Sequence, residues 1–316
     1  MSKLKNSKIF LKVLRILKEK NFLIVLALIF GLIIDVTYLF SKEIISFLIK
    51  FSFFILIFLT FLNLNFEELK SIKKFLKPII FIIIVDYLIF PIILLILAKF
   101  LILDIKTIIS LLFLILAPTA ISSIYIVSLV KGNKEEELII VLITHLLFLV
   151  FLPLILYLYK ELIPSINFNI FVVIKILSFF ILLPLILAFF IQKSYRIKAF
   201  IKENRQFLNN FQFFLLLFII FATISLNFSN LSKNPLNYIS EILIIIIYFL
   251  TYFFLSHFLL KIEEKNIYLS FTYKNYVITL LLLSYFEKEY IVLPLVYVFL
   301  VNLFLVFYLR YYKKNV

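Results

Sequence analysis

The chain contains no cysteine and only two glycines, Gly31 and Gly132, in 316 residues. The first absence excludes disulfides, thiolate metal sites and a cysteine nucleophile. The second excludes a glycine-rich phosphate loop and a GxxxG helix-packing face. Histidine is nearly as scarce. His145 and His257 lie on separate apolar segments with no carboxylate motif beside them, and both read as buried or interhelical hydrogen-bonded side chains. Acidic residues are few, and no Asp-x-x-Asp pair occurs. A membrane-embedded prenyl or phospho-alcohol transferase needs such clusters for metal-bound pyrophosphate, so their absence argues against one. The chain reads as a protein without catalytic residues, metal ligands or cofactor.

What is present in excess is hydrocarbon. Hydrophobic residues make up 65% of the chain and the mean hydropathy is +1.18, more than a water-facing surface tolerates. A helix crossing the bilayer needs about 20 apolar residues. Runs of that kind predict ten spans at 22–40, 44–62, 78–99, 107–130, 138–159, 166–191, 210–227, 237–260, 267–286 and 290–309. The expected fold is an all-α membrane protein, one integral unit over 22–316 with no separate soluble domain. The net charge of +15 would suggest nucleic acid in a soluble protein. Here it follows the positive-inside rule: the loops on the side of the termini carry 23 Lys and Arg, those on the other side 6. Both termini are therefore expected in the cytoplasm, with the chain multi-pass in the cell membrane.

Residues 1–21 carry seven basic side chains above Ile9, Phe10, Val13, Leu14 and Leu17, which recur at helical spacing. That pattern predicts a basic amphipathic helix on the anionic inner leaflet rather than a cleaved signal peptide.

Two of the runs are interrupted by polar groups. One reads Leu-Ala-Pro118-Thr119-Ala120-Ile121-Ser122-Ser123, the other Ser270-Phe271-Thr272-Tyr273-Lys274-Asn275-Tyr276. Interrupted segments in corresponding places of two halves point to the binding site of a secondary transporter. Pro118 is the candidate helix breaker, and Thr119, Ser122, Ser123, Ser270, Thr272, Lys274 and Asn275 are candidate substrate- or ion-binding residues. Charges inside spans are costly unless paired. Asp35 and Lys50 lie near enough to span ends to reach the interface. Asp86 and Lys274 are deeper, and mutual pairing in a functional cavity is the favoured reading against simple neutralisation inside the bundle. Lys175 has no obvious partner and no assigned role.

Several pieces, in order, resemble the bile acid:sodium symporter family. They are Leu59-Thr-Phe-Leu-Asn-Leu-Asn-Phe-Glu-Glu-Leu-Lys, Asp86 followed by Pro91, and Ala117-Pro118-Thr-Ala-Ile-Ser-Ser123 running on to Lys131-Gly132-Asn133. The last is Lys274-Asn275-Tyr-Val-Ile-Thr-Leu-Leu-Leu-Leu-Ser284. The resemblance implies ten transmembrane helices as two inverted five-helix repeats, about 22–159 and about 166–312, with broken helices 4 and 9 crossing in a core domain. It implies a secondary transporter of a small organic anion.

Departures from the family pattern bear on coupling. Where the resemblance implies a Ser-Asn pair of a first sodium site, this chain has Ser123-Ile124; hydroxyl positions fall on Glu137 and Val141, and a glutamate position falls on Ser270. Glu137 could partly compensate as an ion ligand, but in Lys134-Glu-Glu-Glu137 it is expected to cap a solvated cytoplasmic helix start. Two glutamines of a second site correspond to Asp86 and Lys274. The implied consequence is an ion pair in place of sodium, with sodium-independent transport that is either uniport or coupled to protons. An auxin-efflux-type carrier of the same architecture, or a transporter-like membrane protein without turnover, stays open as the alternative. An arsenite exporter of the same superfamily is disfavoured by the missing cysteine.

Overall fold

The computed structural model describes residues 20–63, 76–100, 104–121, 123–124, 127, 132–163, 169–226, 239–259, 273–283, 291–298, 300–302 and 304. The basic segment before residue 20, and Ser122, Ser270 and Thr272, lie outside the described residues.

The elements are α1 (Lys20–Ile33), α2 (Lys42–Leu62), α3 (Leu76–Ile84), α4 (Phe90–Phe100), α5 (Ile105–Leu116), α6 (Lys134–Leu162), α7 (Ile170–Leu177), α8 (Leu183–Ile191), α9 (Tyr195–Glu203), α10 (Arg205–Leu226), α11 (Ile239–Leu259) and α12 (Tyr276–Leu283). Five helical stretches are long and apolar enough to cross a membrane: Lys42–Leu62, Ile79–Phe100, Lys134–Leu162, Ile170–Ile191 and Arg205–Leu226. Leu23–Ile33, Ile105–Leu116, Ile242–Thr251 and Val292–Asn302 are shorter apolar helices. The protein is an α-helical, multi-pass membrane protein.

Polar side chains set the helix starts. Asp104 accepts from the Thr107 amide at 2.8 Å, and Asn133 accepts from the Glu135 and Glu136 amides at 3.0 and 3.3 Å. Each supplies an acceptor to a donor that has no partner within its own helix. The same chemistry shortens the first expected span. Helix α1 stops at Ile33 because Asp35 binds the Thr37 amide at 2.9 Å and its hydroxyl at 2.6 Å, opening a 3₁₀ turn over Val36–Tyr38. Ser225 of α10 closes that corner, accepting from the Val36 amide at 2.8 Å and donating to the Ile34 carbonyl.

Two of the spans contain a π-helical turn, Val85–Ile89 joining α3 to α4 and Ser178–Leu182 joining α7 to α8. Each lies just ahead of a proline, Pro91 and Pro184. Proline has no N–H for the carbonyl four residues earlier, and the preceding residue bonds five back instead: Phe90 to Val85, Leu183 to Ser178.

Helix α10 packs on α1 and α2, and α2 also packs on α8 and its π-helical turn. Phe53 and Phe54 meet Phe180 and Phe179 there, with centroids 5.7 and 5.4 Å apart. The contact of α1 with α10 requires glycine. A Cβ on Gly31 would lie 2.9 Å from the Ile224 Cβ and 2.9 Å from the Phe221 carbonyl oxygen. A second set of packed elements comprises the α3–α4 span, α5, α6 and α12, and α12 touches α10. The candidate site lies in this second set.

Candidate functional site

Helix α5 ends at Leu116, and Ala117 turns to extended backbone at φ −53° and ψ 139°. That is the conformation a following proline favours, because the Pro118 ring clashes with a helical predecessor. On the other segment the helix begins only at Tyr276, leaving Tyr273, Lys274 and Asn275 extended. The two extended pieces cross as an isolated antiparallel bridge pairing Thr119 with Lys274. The Ala120 amide donates to the Tyr273 carbonyl and the Asn275 amide to the Pro118 carbonyl, both at 2.7 Å. The Thr119 amide donates to Thr144 Oγ1 of α6 at 3.1 Å. Unwound backbone among apolar helices must find partners inside the protein. Here each break supplies partners for the other.

Three consecutive residues of the second break then send their side chains to three different elements. The Tyr273 hydroxyl donates to Asn302 Oδ1 at 3.0 Å. Lys274 Nζ donates to the Asp86 carboxylate in a direct ion pair, and each residue is only 2% exposed. Asn275 Nδ2 lies 3.1 Å from His145 Nε2, and its Oδ1 accepts from the Ile278 amide at 3.4 Å, capping α12. His145 Nδ1 lies 2.7 Å from the Val141 carbonyl. A carbonyl can only accept, so Nδ1 carries the proton and Nε2 accepts from the Asn275 amide. The neutral imidazole satisfies both contacts.

Asp86 lies in the π-helical turn, where Val85, Asp86 and Tyr87 are all buried in succession. Tyr87 donates to the Thr144 carbonyl at 3.3 Å, so Thr144 joins the first break to the turn that holds the acid. Pro91, one turn on, keeps its carbonyl occupied by the Tyr159 hydroxyl of α6.

Glu137 overturns its sequence expectation. It belongs to the first turn of α6 but is 0% exposed, and it accepts a hydrogen bond from the equally buried Ser123. It is therefore not a cap in water; the cap is Asn133, with Glu135 exposed and Glu136 half-buried beside it. Lys175, left without a role by the sequence, stands apart from the site. It is exposed on the outer surface of α7 beside Val172 and Ile174, not turned to the bundle interior.

Thus Asp86, Lys274, Thr119, Pro118 and Asn275 converge at the crossing, while Ser123 and Glu137 form a separate buried contact after it. Thr144 and Asn302 join the site without being among the candidates read from the sequence. The available signal was a polar side chain inside an apolar run, in Leu142-Ile-Thr144-His145-Leu-Leu and in Leu300-Val-Asn302-Leu.

Interrupted segments crossing around a paired acid and base, within a multi-pass apolar chain, define a membrane carrier. The model of the Sodium Bile acid symporter family matches residues 50–234, more than half of the chain. The chain belongs to that family and is a membrane transporter of that kind. The match takes in Asp86, Pro118, Ser123, Glu137 and Thr144 and ends before Lys274. No curated protein matches the chain.

Proposed function

We propose that this protein is a secondary transporter of a small organic anion that works without sodium, with the Asp86–Lys274 pair standing where a coupling sodium ion would sit. Ten spans form two inverted repeats, about 22–159 and about 166–312, in the cell membrane, with both termini cytoplasmic. The single observation that carries the proposal is the contact of the Lys274 ammonium with the Asp86 carboxylate at the crossing of the two breaks. A tethered ammonium brings the positive charge that a bound cation would bring, and the carboxylate balances it. An anionic substrate then meets helix N-terminal dipoles and a resident positive group at one place.

The other candidate cation position supports the same view. Ser123 and Glu137 offer side-chain oxygens there, whereas the side chains of Ile124 and Val141 offer none, and sodium needs several oxygens at close range. Glu137 bonded to Ser123 and Asp86 bonded to Lys274 are both able to bind a proton, so transport is uniport or proton-coupled.

The test is uptake of labelled carboxylates, keto acids among them, into proteoliposomes with sodium or choline as the external cation. Equal uptake in both media is expected, with sodium stimulation emerging in Lys274→Gln as Asp86 loses its ammonium. Sodium-dependent uptake by the unaltered chain, or a Lys274→Gln variant with unchanged transport and cation dependence, would refute the proposal.

A further inference from the structure

Helix α9 runs between the end of one span and the start of another, and none of its residues is buried. Gln192, Lys193 and Ser194 alone separate it from α8, and Asn204 alone separates it from α10, so it is held at the boundary of the bilayer. Ile197, Phe200 and Ile201 recur at i, i+3 and i+4 and make one apolar stripe. Much of that stripe is open in the described structure: Phe200 is 59% exposed and Ile197 36%, while Ile201 is half-buried. Lys198 and Lys202, one turn apart, border it. Over residues 193–205 five basic side chains (Lys193, Arg196, Lys198, Lys202 and Arg205) face one acid, Glu203, leaving a net charge of +4. Exposed aromatic rings gather at both ends. Lys193 Nζ lies 4.9 Å from the centroids of both Phe189 and Phe190, and Phe207 stands 68% exposed at the start of α10.

We propose that α9 is an interfacial helix that binds anionic phospholipid. The Ile197–Phe200–Ile201 stripe beds into the headgroup–acyl boundary, and the basic residues hold the phosphate groups. The combination of an apolar stripe, flanking basic side chains and aromatic rings at a span boundary is what such a surface attracts. A soluble partner would need acidic groups matched to this charge together with an apolar ridge, whereas the leaflet supplies both continuously. Because α9 joins α8 to α10, and both pack on α2, the bound lipid anchors that group of helices to one leaflet.

The absence of cysteine allows a single reporter to be placed. The full chain carrying Ile197→Cys, labelled with an environment-sensitive fluorophore, is reconstituted into vesicles of phosphatidylcholine alone or mixed with phosphatidylglycerol. Quenching by nitroxide-labelled lipid is then measured. Quenching at least about threefold stronger with phosphatidylglycerol, and weakened by added salt, is expected. Combining Lys193→Gln, Arg196→Gln, Lys198→Gln and Lys202→Gln should reduce it to the phosphatidylcholine level. Combining Lys193→Arg, Lys198→Arg and Lys202→Arg should retain it. Equal quenching in the two lipids, or retained quenching in the glutamine variant, overturns the proposal. So does a label that stays water-accessible in both lipids, which would leave the face to a soluble partner.

Discussion

Thr119 and Lys274 stand opposite one another across the bridge that joins the two breaks, flanked by the two backbone bonds rather than sharing them. This is the closer of the two antiparallel pairings, the one that brings facing side chains nearest. It also fixes register. Side chains alternate along an extended segment, so a slip of one residue would turn Tyr273 or Asn275 toward Asp86 in place of Lys274. The buried ion pair is thus positioned by two backbone hydrogen bonds at the crossing, and Pro118, which forces α5 to end, is what frees the first segment to make them.

The first prediction concerns the pair itself. Removing one member of a buried ion pair strands the other charge, at a cost of about 3–5 kcal/mol. Asp86→Asn or Lys274→Gln alone should therefore lower the thermal midpoint of the purified chain strongly. The double substitution should recover most of the loss, since two neutral amides can bond to each other. A double-mutant cycle checks this; additive losses would mean that the two side chains do not stabilise one another.

A second prediction isolates the backbone at the break. Thr144 Oγ1 accepts from the Thr119 amide and donates to the Val141 carbonyl at 3.0 Å. Thr144→Val keeps the shape and strands a buried N–H, which costs about 1–3 kcal/mol. Thr144→Ser keeps the acceptor and should lose much less. Equal melting temperatures for the two variants would show that the Thr119 amide finds another partner.

A third prediction concerns the contact of α1 with α10. Gly31→Ala places a methyl 2.9 Å from both the Ile224 Cβ and the Phe221 carbonyl oxygen. Neither is the flexible end of a side chain, so the helices must separate. Overpacking of this kind costs about 1–3 kcal/mol. Thermal unfolding in detergent should register the loss, and an unchanged midpoint would mean that the two helices are free to shift apart.

Much of this arrangement is readable in the sequence, for definite reasons. A charge deep in an apolar run is costly unless paired, which brings Asp86 and Lys274 forward, although Lys175 lies as deep in its run and is exposed on the outer surface of α7. Pro118 ahead of Thr119 must end a helix. Other features are set by neighbours that hydropathy does not see. Asp35 lies in a run apolar enough to be taken as one span, yet its bonds to Thr37 turn the chain. Glu137 follows an exposed acid, Glu135, and a half-buried one, Glu136, and the contact with buried Ser123 is not visible in that run of three. The π-helical turn that places Asp86 follows from Pro91, but its register depends on which carbonyls the surrounding helices satisfy.

The last prediction asks which buried acid answers to protons. Asp86 is bonded to an ammonium, whereas Glu137 is bonded to the Ser123 hydroxyl. If the ion pair carries coupling, a proton taken up by Asp86 must release Lys274, so Asp86→Asn should abolish any response of uptake to an imposed pH gradient. Glu137→Gln should leave that response intact, because a carboxamide oxygen still accepts from Ser123 and the Asp86–Lys274 pair is untouched. Uptake driven by an inward proton gradient in proteoliposomes separates the two acids. A response lost in Glu137→Gln and kept in Asp86→Asn would move coupling from the crossing to the start of α6, and the ion pair would then be a fixed counter-charge for the substrate.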